Sequence, residues 1–204
     1  MNNQFHPLIP ANIKGIIFDI DGTIADTMPL HYQASQIVCN AKGFDFPLEY
    51  FYAKAGIPTH KVFQMLMVDL NLPFDGYALA DEKEAIFQTL IPQVKPLNPA
   101  AEVAEVYLGK LPMALGTGAT TEVGKQTIKT IGMENYFQAI VGCDMVKNGK
   151  PAPDTFLLAA QLMGVEPKDC IVFEDGQPGI DAAIAAGMQY VDVRKWTMKD
   201  VILN

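Results

Sequence analysis

The stretch Ile16-Ile17-Phe18-Asp19-Ile20-Asp21-Gly22-Thr23-Ile24-Ala25-Asp26-Thr27 decides how the rest of the chain is read. An uncharged apolar run bounded by a glycine turn has the pattern of a strand buried on both faces, as in parallel sheets. The run stops at two carboxylates one residue apart, Asp19 and Asp21. In an open α/β sheet ligands bind at the carboxyl ends of strands, and burying unpartnered carboxylates beside a core strand is costly. A hard divalent cation held by oxygens would compensate the charge, and Asp-x-Asp before a Gly turn offers two ligands at short range. An EF-hand loop is excluded: Thr23 stands at its third ligand position and Leu30 where its distal Glu would fall. A plain acidic turn after a strand stays open on these residues alone.

Outward from this stretch the chain has two textures. Met28 to Lys42 carries Leu30, Ala34, Ile37, Val38 and Ala41 at helical spacing, and Gly43 ends it. Further helices are predicted over 48–55, 60–70 and 77–91, punctuated by Pro58 and Pro73, with no strand between 27 and 91. Val62, Met65, Leu66 and Leu70 read as the core of a helix bundle. Pro92, Pro96 and Pro99 mark a stiff return segment. Beyond it, predicted helices at 100–108, 122–131, 153–163 and 178–186 alternate with predicted strands at 113–117, 139–141, 170–174 and 190–193. With a first strand over 13–19, this alternation means right-handed βαβ units. The expected fold is α/β: a doubly wound parallel sheet, a Rossmann-like core of residues 1–26 and 92–204, with an α-helical domain of residues 27–91 inserted after the first strand. The junction between them can hinge. Residues 1–12, broken by Pro7 and Pro10, are expected as a surface arm.

Half of the 204 residues are hydrophobic and 19% are charged, enough for a large core. The net charge of −8 argues against a nucleic-acid surface and against anionic membranes, so any anion handled here must meet local cations. Cys39, Cys143 and Cys170 lack metal-type spacing; Cys143 and Cys170 lie in apolar strand-like runs and read as buried free thiols in a reducing compartment. No run reaches the roughly 18 apolar residues of a membrane span, and no signal-peptide pattern opens the chain, so a soluble, cytoplasmic protein is expected.

A parallel sheet gathers the carboxyl ends of its strands. The second core strand ends in Leu115-Gly116-Thr117-Gly118-Ala119, where a hydroxyl and backbone N–H groups lead into a helix and can bind phosphate. This run matches neither a Walker loop nor the dinucleotide fingerprint. Lys150, ordinarily a solvated type, is followed by Pro151-Ala152-Pro153, which fixes the backbone beside it. Cys170-Ile171-Val172-Phe173-Glu174-Asp175-Gly176 repeats the opening theme, an apolar strand ending in adjacent acids. With Asp19 and Asp21, the pair Glu174 and Asp175 makes four carboxylates suited to Mg²⁺.

These four motifs, in this order and spacing, resemble the haloacid dehalogenase-like phosphohydrolases. The helical insertion is similar to the small cap of their β-phosphoglucomutase-like branch, and segments 112–118, 150–156 and 172–175 look most like bacterial fructose-1-phosphate and 6-phosphogluconate phosphatases. The resemblance implies Asp19 as nucleophile, Asp21 as general acid and base, and Thr117, Gly118 and Lys150 on the phosphoryl group. It implies Mg²⁺ on Asp19, Asp21, Glu174 and Asp175, Asp21 through its backbone carbonyl. His31 and Lys83 are its substrate-facing candidates in the cap; without the resemblance, Lys83 among Asp81, Glu82 and Glu84 reads as a solvated, ion-paired lysine. Where the mutases carry an arginine in the first cap turn, this chain has Gly56-Ile57-Pro58-Thr59-His60, and Thr23 stands where they tend to have Val. The expectation is a phosphatase for small sugar phosphates, with a monomer expected and a dimer as the alternative. A phosphosugar mutase is the alternative, and a silent phosphosugar-binding module the third reading.

Overall fold

The computed structural model describes residues 9–55 and 57–195. The arm up to residue 8, and Gly56 in the turn without the mutase arginine, lie outside them. The chain divides into two compact units, Met1–Asp26 with Lys95–Asn204, and Thr27–Val94.

The first unit carries a parallel sheet of β1 (Gly15–Phe18), β2 (Met113–Gly116), β3 (Ala139–Val141), β4 (Cys170–Glu174) and β5 (Gln189–Asp192), in the order β3-β2-β1-β4-β5. Helices α1 (Met28–Ala41), α2 (Leu48–Ala53), α3 (Thr59–Asp69) and α4 (Gly76–Leu90) belong to the second unit. Helices α5 (Ala100–Tyr107), α6 (Thr121–Thr130), α7 (Asp154–Met163) and α8 (Gln177–Ala185) alternate with the later strands. The α/β class and its parallel sheet are those read from the sequence. β1, β2 and β4 are buried along their whole length, as uncharged runs in a sheet covered on both faces must be. The first strand is shorter than 13–19, because the Ile13 N–H donates to the Pro10 carbonyl in a turn.

Register places the site. Phe18 pairs with Leu115 on one side and Phe173 on the other, so Asp19 leaves the sheet level with Gly116 and Glu174. The Asp19 N–H still donates to the Phe173 carbonyl at 2.9 Å, which extends the ladder into the acidic turn. Beneath this edge, Ile17, Ala114 and Val172 pack with Phe156, Ala159 and Ala160 of α7 and Ala182 and Ala183 of α8. The alanines let the helices approach closely, and a fully buried side chain such as Phe156 contributes about 2–3 kcal/mol.

In the second unit, Val38 and Cys39, Phe46, Val62, Phe63, Leu66 and Met67, and Leu79 and Ala80 form a core of their own. Met65 and Leu70, expected in it, are 36% and 43% exposed; α3 turns Phe63 and Met67, four apart, inward instead. Asp75 caps α4 by accepting the Tyr77 N–H at 2.9 Å. Ile91–Gln93 continue that helix as a tight 3₁₀ turn. Where the first unit is interrupted, its outgoing and returning chains are laced together: Ala25 pairs antiparallel with Pro96, Asp26 N–H donates to Lys95, and Leu97 N–H donates to Ile24.

Cys39 and Cys170 are buried, but Cys143 is exposed. β3 ends at Val141 and Cys143–Met145 forms a surface 3₁₀ turn, so the apolar run stops short of the thiol. Among the described residues no helix is long and apolar enough to cross a membrane.

Candidate active site

Asp19 sits immediately after β1, in a tight turn in which the N–H groups of Thr23, Ile24 and Ala25 converge on the Ile20 carbonyl. Gly22 adopts φ +81°, a left-handed conformation that disfavours side chains, and so folds Thr23 back over the strand end. The Thr23 hydroxyl donates to Asp175 Oδ1 at 3.3 Å.

Lys150 reaches this turn from the loop before α7. Its ammonium donates to Asp19 Oδ1 and to Glu174 Oε1, both at 2.6 Å, and lies 4.8 Å above the Phe156 ring. The three side chains are no more than 10% exposed, which excludes the solvated reading of Lys150. Glu174 Oε2 accepts the Gly176 N–H at 2.6 Å. Two charge-assisted bonds at this depth fix the lysine against the carboxylates and keep water from screening them.

Oxygens of Asp19, Glu174 and Asp175 lie within 4.8 Å of one another. The Asp21 carboxylate is outside that group: its Oδ2 accepts from the Thr117 hydroxyl at 3.3 Å. Thr117, 1% exposed, also accepts the Ala119 N–H at 3.0 Å, so it is held by the loop that carries Gly118. A Cβ at Gly118 would meet nothing within 4 Å, leaving the space beside that backbone open.

Burial drives the Asp19 carboxyl well above the usual carboxylate range; Lys150 pulls it down, and Glu174, Asp175 and Asp21 push it up again. Burial first, then the charge of Glu174, lift Asp175 to about 6. Burial disfavours a charged Lys150, but Asp19 and Glu174 outweigh it and hold the ammonium above its ordinary value. The ionised cluster is therefore short of positive charge. Three converging carboxylates with that deficit fit a hard divalent cation with oxygen ligands.

His31 and Lys83 meet within the second unit. Lys83 Nζ is 2.7 Å from His31 Nδ1 and 2.9 Å from Glu84 Oε1, and Thr59 Oγ1 donates to the same oxygen at 3.1 Å. The His31 ring stacks on Phe87 at 3.7 Å. Lys83 is 3% exposed, which corrects the solvated reading: spacing along α4 shows the neighbouring acids but not the histidine of α1 or the phenylalanine beneath. Glu84 is one of the acids that the ion-paired reading of Lys83 named, and that pairing is present at 2.9 Å, whereas Thr59 and Phe87 had no distinguishing signal in the sequence. A shallow cavity of about 350 Å³ lined by Leu157, Gln161, Val165, Glu166 and Pro167 holds a single acid and none of these groups.

The sequence profile of the haloacid dehalogenase-like hydrolases matches residues 16–193, from the first residues of β1 to the end of β5 and the turn after it. The chain belongs to this family. Among similar members, fructose-1-phosphate phosphatase YqaB of Escherichia coli (strain K12) is 45% identical over 181 residues, covering 88% of this chain and 96% of that protein. The β-phosphoglucomutase of Bacillus subtilis (strain 168) is 28% identical over 193 residues, covering 89% and 83%. Among solved structures, the β-phosphoglucomutase of Clostridium difficile superposes with a TM-score of 0.73 at 26% identity, covering 87% of this chain and 83% of that one. In this member of the family the strand ends bring together the buried Asp19 carboxylate, a second acid two residues on, and the Lys150 ammonium fixed between Asp19 and Glu174.

Proposed function

We propose that this hydrolase removes phosphate from small sugar phosphates, of the fructose-1-phosphate or 6-phosphogluconate kind, through an aspartyl-phosphate. The observation that carries the reading is Lys150 held at 2.6 Å on Asp19, with Asp21 two residues further along the same turn.

In the first half-reaction an Asp19 oxygen forms a bond to phosphorus while the bond from phosphorus to the sugar oxygen breaks, and Asp21 gives its proton to that leaving oxygen. In the second, Asp21 takes a proton from water as the water oxygen attacks phosphorus, releasing phosphate and restoring Asp19. Lys150 neutralises the nucleophile and the oxygens of the transferring group, and the Thr117 hydroxyl with the Gly118 N–H holds one of those oxygens. Asp19, Glu174, Asp175 and the Asp21 carbonyl would hold Mg²⁺, which supplies charge neutralisation at the phosphoryl oxygens. The inserted unit Thr27–Val94 acts as the substrate-selecting cap, with His31 and Lys83 presenting polar groups to the sugar. Likeness to the YqaB phosphatase over nearly its whole length supports hydrolysis.

The test is inorganic phosphate release from a panel of sugar phosphates with and without Mg²⁺, for wild type and Asp19→Asn. Metal-dependent release that the substitution abolishes is expected. Conversion of β-glucose-1-phosphate to glucose-6-phosphate without release, dependent on a bisphosphate, would replace this reading by the mutase that the Bacillus subtilis relative brings into view.

A further inference from the structure

Gly179 lies in the first turn of α8 with an ordinary helical backbone, where glycine is less favourable than alanine, so conformational freedom does not explain it. Space does. A Cβ built there would fall 1.8 Å from Glu174 Oε1, 2.1 Å from its Cδ and 2.7 Å from its Cγ. The Glu174 side chain, 3% exposed, occupies the volume that any residue other than glycine would fill. Oε1 is also the atom that receives the Lys150 ammonium at 2.6 Å, and the same ammonium holds Asp19 at 2.6 Å.

We propose that Gly179 is a positioning residue: its missing side chain seats Glu174, and Glu174 in turn holds Lys150 on Asp19. The proposal rests on the hydrolase reading for its catalytic consequence, but the positioning can be measured without turnover.

The experiment compares wild type, Gly179→Ala, Glu174→Ala and the double variant. Its readouts are kcat and KM for phosphate release from fructose-1-phosphate, the side-chain ammonium resonance of Lys150 in a proton–nitrogen spectrum, and Tm. Gly179→Ala is expected to lower kcat roughly a hundredfold with KM within about threefold, and to shift or erase the Lys150 resonance. In the Glu174→Ala background the clash partner is gone. There the same substitution changes kcat by less than about twofold and leaves Tm unchanged or higher, since alanine is the better helix former. A glycine needed only for packing elsewhere would lower Tm equally in both backgrounds, which overturns the proposal, as does a Gly179→Ala protein with wild-type kcat and an unmoved Lys150 resonance. If Gly179→Ala does not fold, recovery of the fold in the double variant supports the proposal and failure to recover overturns it. If wild type releases no phosphate from any ester, the hydrolase reading falls alone, and the Lys150 resonance still decides the positioning.

Discussion

Replacing Asp175 with Asn is expected to make the metal-free protein more stable at alkaline pH, although it removes a member of the carboxylate cluster. Burial and the charge of Glu174 raise this carboxyl from its ordinary 3.8 to about 6. Between those values the folded chain keeps a proton that the unfolded chain has released, so stability falls as pH rises. The loss begins at about pH 4, is complete just above about pH 6, and amounts to about 3 kcal/mol thereafter. Asn has no proton to lose. The substitution also weakens the 3.3 Å bond from Thr23, a loss of about 1 kcal/mol. In EDTA at about pH 8, urea unfolding should therefore find Asp175→Asn more stable by about 2 kcal/mol, with the advantage gone by about pH 4. Adding Mg²⁺ at the higher pH should stabilise wild type more than the variant, because a ligand favours the fold that binds it better. A stability gap that ignores pH, or equal stabilisation of both proteins by Mg²⁺, would refute the account of the cluster as a site short of positive charge.

Thiol titration should find Cys143 reactive in the native protein and Cys39 and Cys170 only after unfolding, since burial pushes the latter two up to about 12 and about 11; fast reaction of a second thiol would contradict their burial. Asp192, bonded to Arg194 through both oxygens and to Lys195, is held down to about 2. A lowered carboxyl stabilises above its unfolded pKa and loses that contribution as pH falls through the folded one. Asp192→Asn should therefore be less stable than wild type by up to about 1 kcal/mol at neutral pH, and the two should converge near about pH 2; a gap that persists in acid would show that charge is not its source. Lys83→Met should raise KM for the preferred sugar phosphate at least roughly tenfold with little change in kcat; unchanged KM would remove Lys83 from substrate selection.

Strands β1 and β4 were legible because an uncharged run ending in paired acids has few other uses, and parallel topology then required both ends to face one side. Strand order was not legible: no local signal in 13–19 says that β2 and β4 are its two neighbours. The same limit explains Lys83. Adjacent acids on its own helix suggested solvent, whereas its depth is set by His31 from another helix and by Phe87 a turn away. Gly179 carries no local signal for a related reason. Its demand is the position of one side chain, that of Glu174, five residues back in sequence, after that chain has turned from strand to helix. Cys143 failed in the opposite direction, since apolar neighbours in sequence do not reveal where a strand gives out.

The lacing of Ile24–Asp26 to Lys95–Leu97 makes the inserted segment a closed detour. Paired backbones lie about 5 Å apart, so the sheet-bearing chain leaves and re-enters at nearly one point. Closing a detour of different length over such a gap costs little, because loop entropy grows only with the logarithm of length. Descendants of this gene could therefore lengthen, shorten or exchange the segment while the acidic strand ends stay in register, so that under the proposed function selectivity evolves apart from the chemistry.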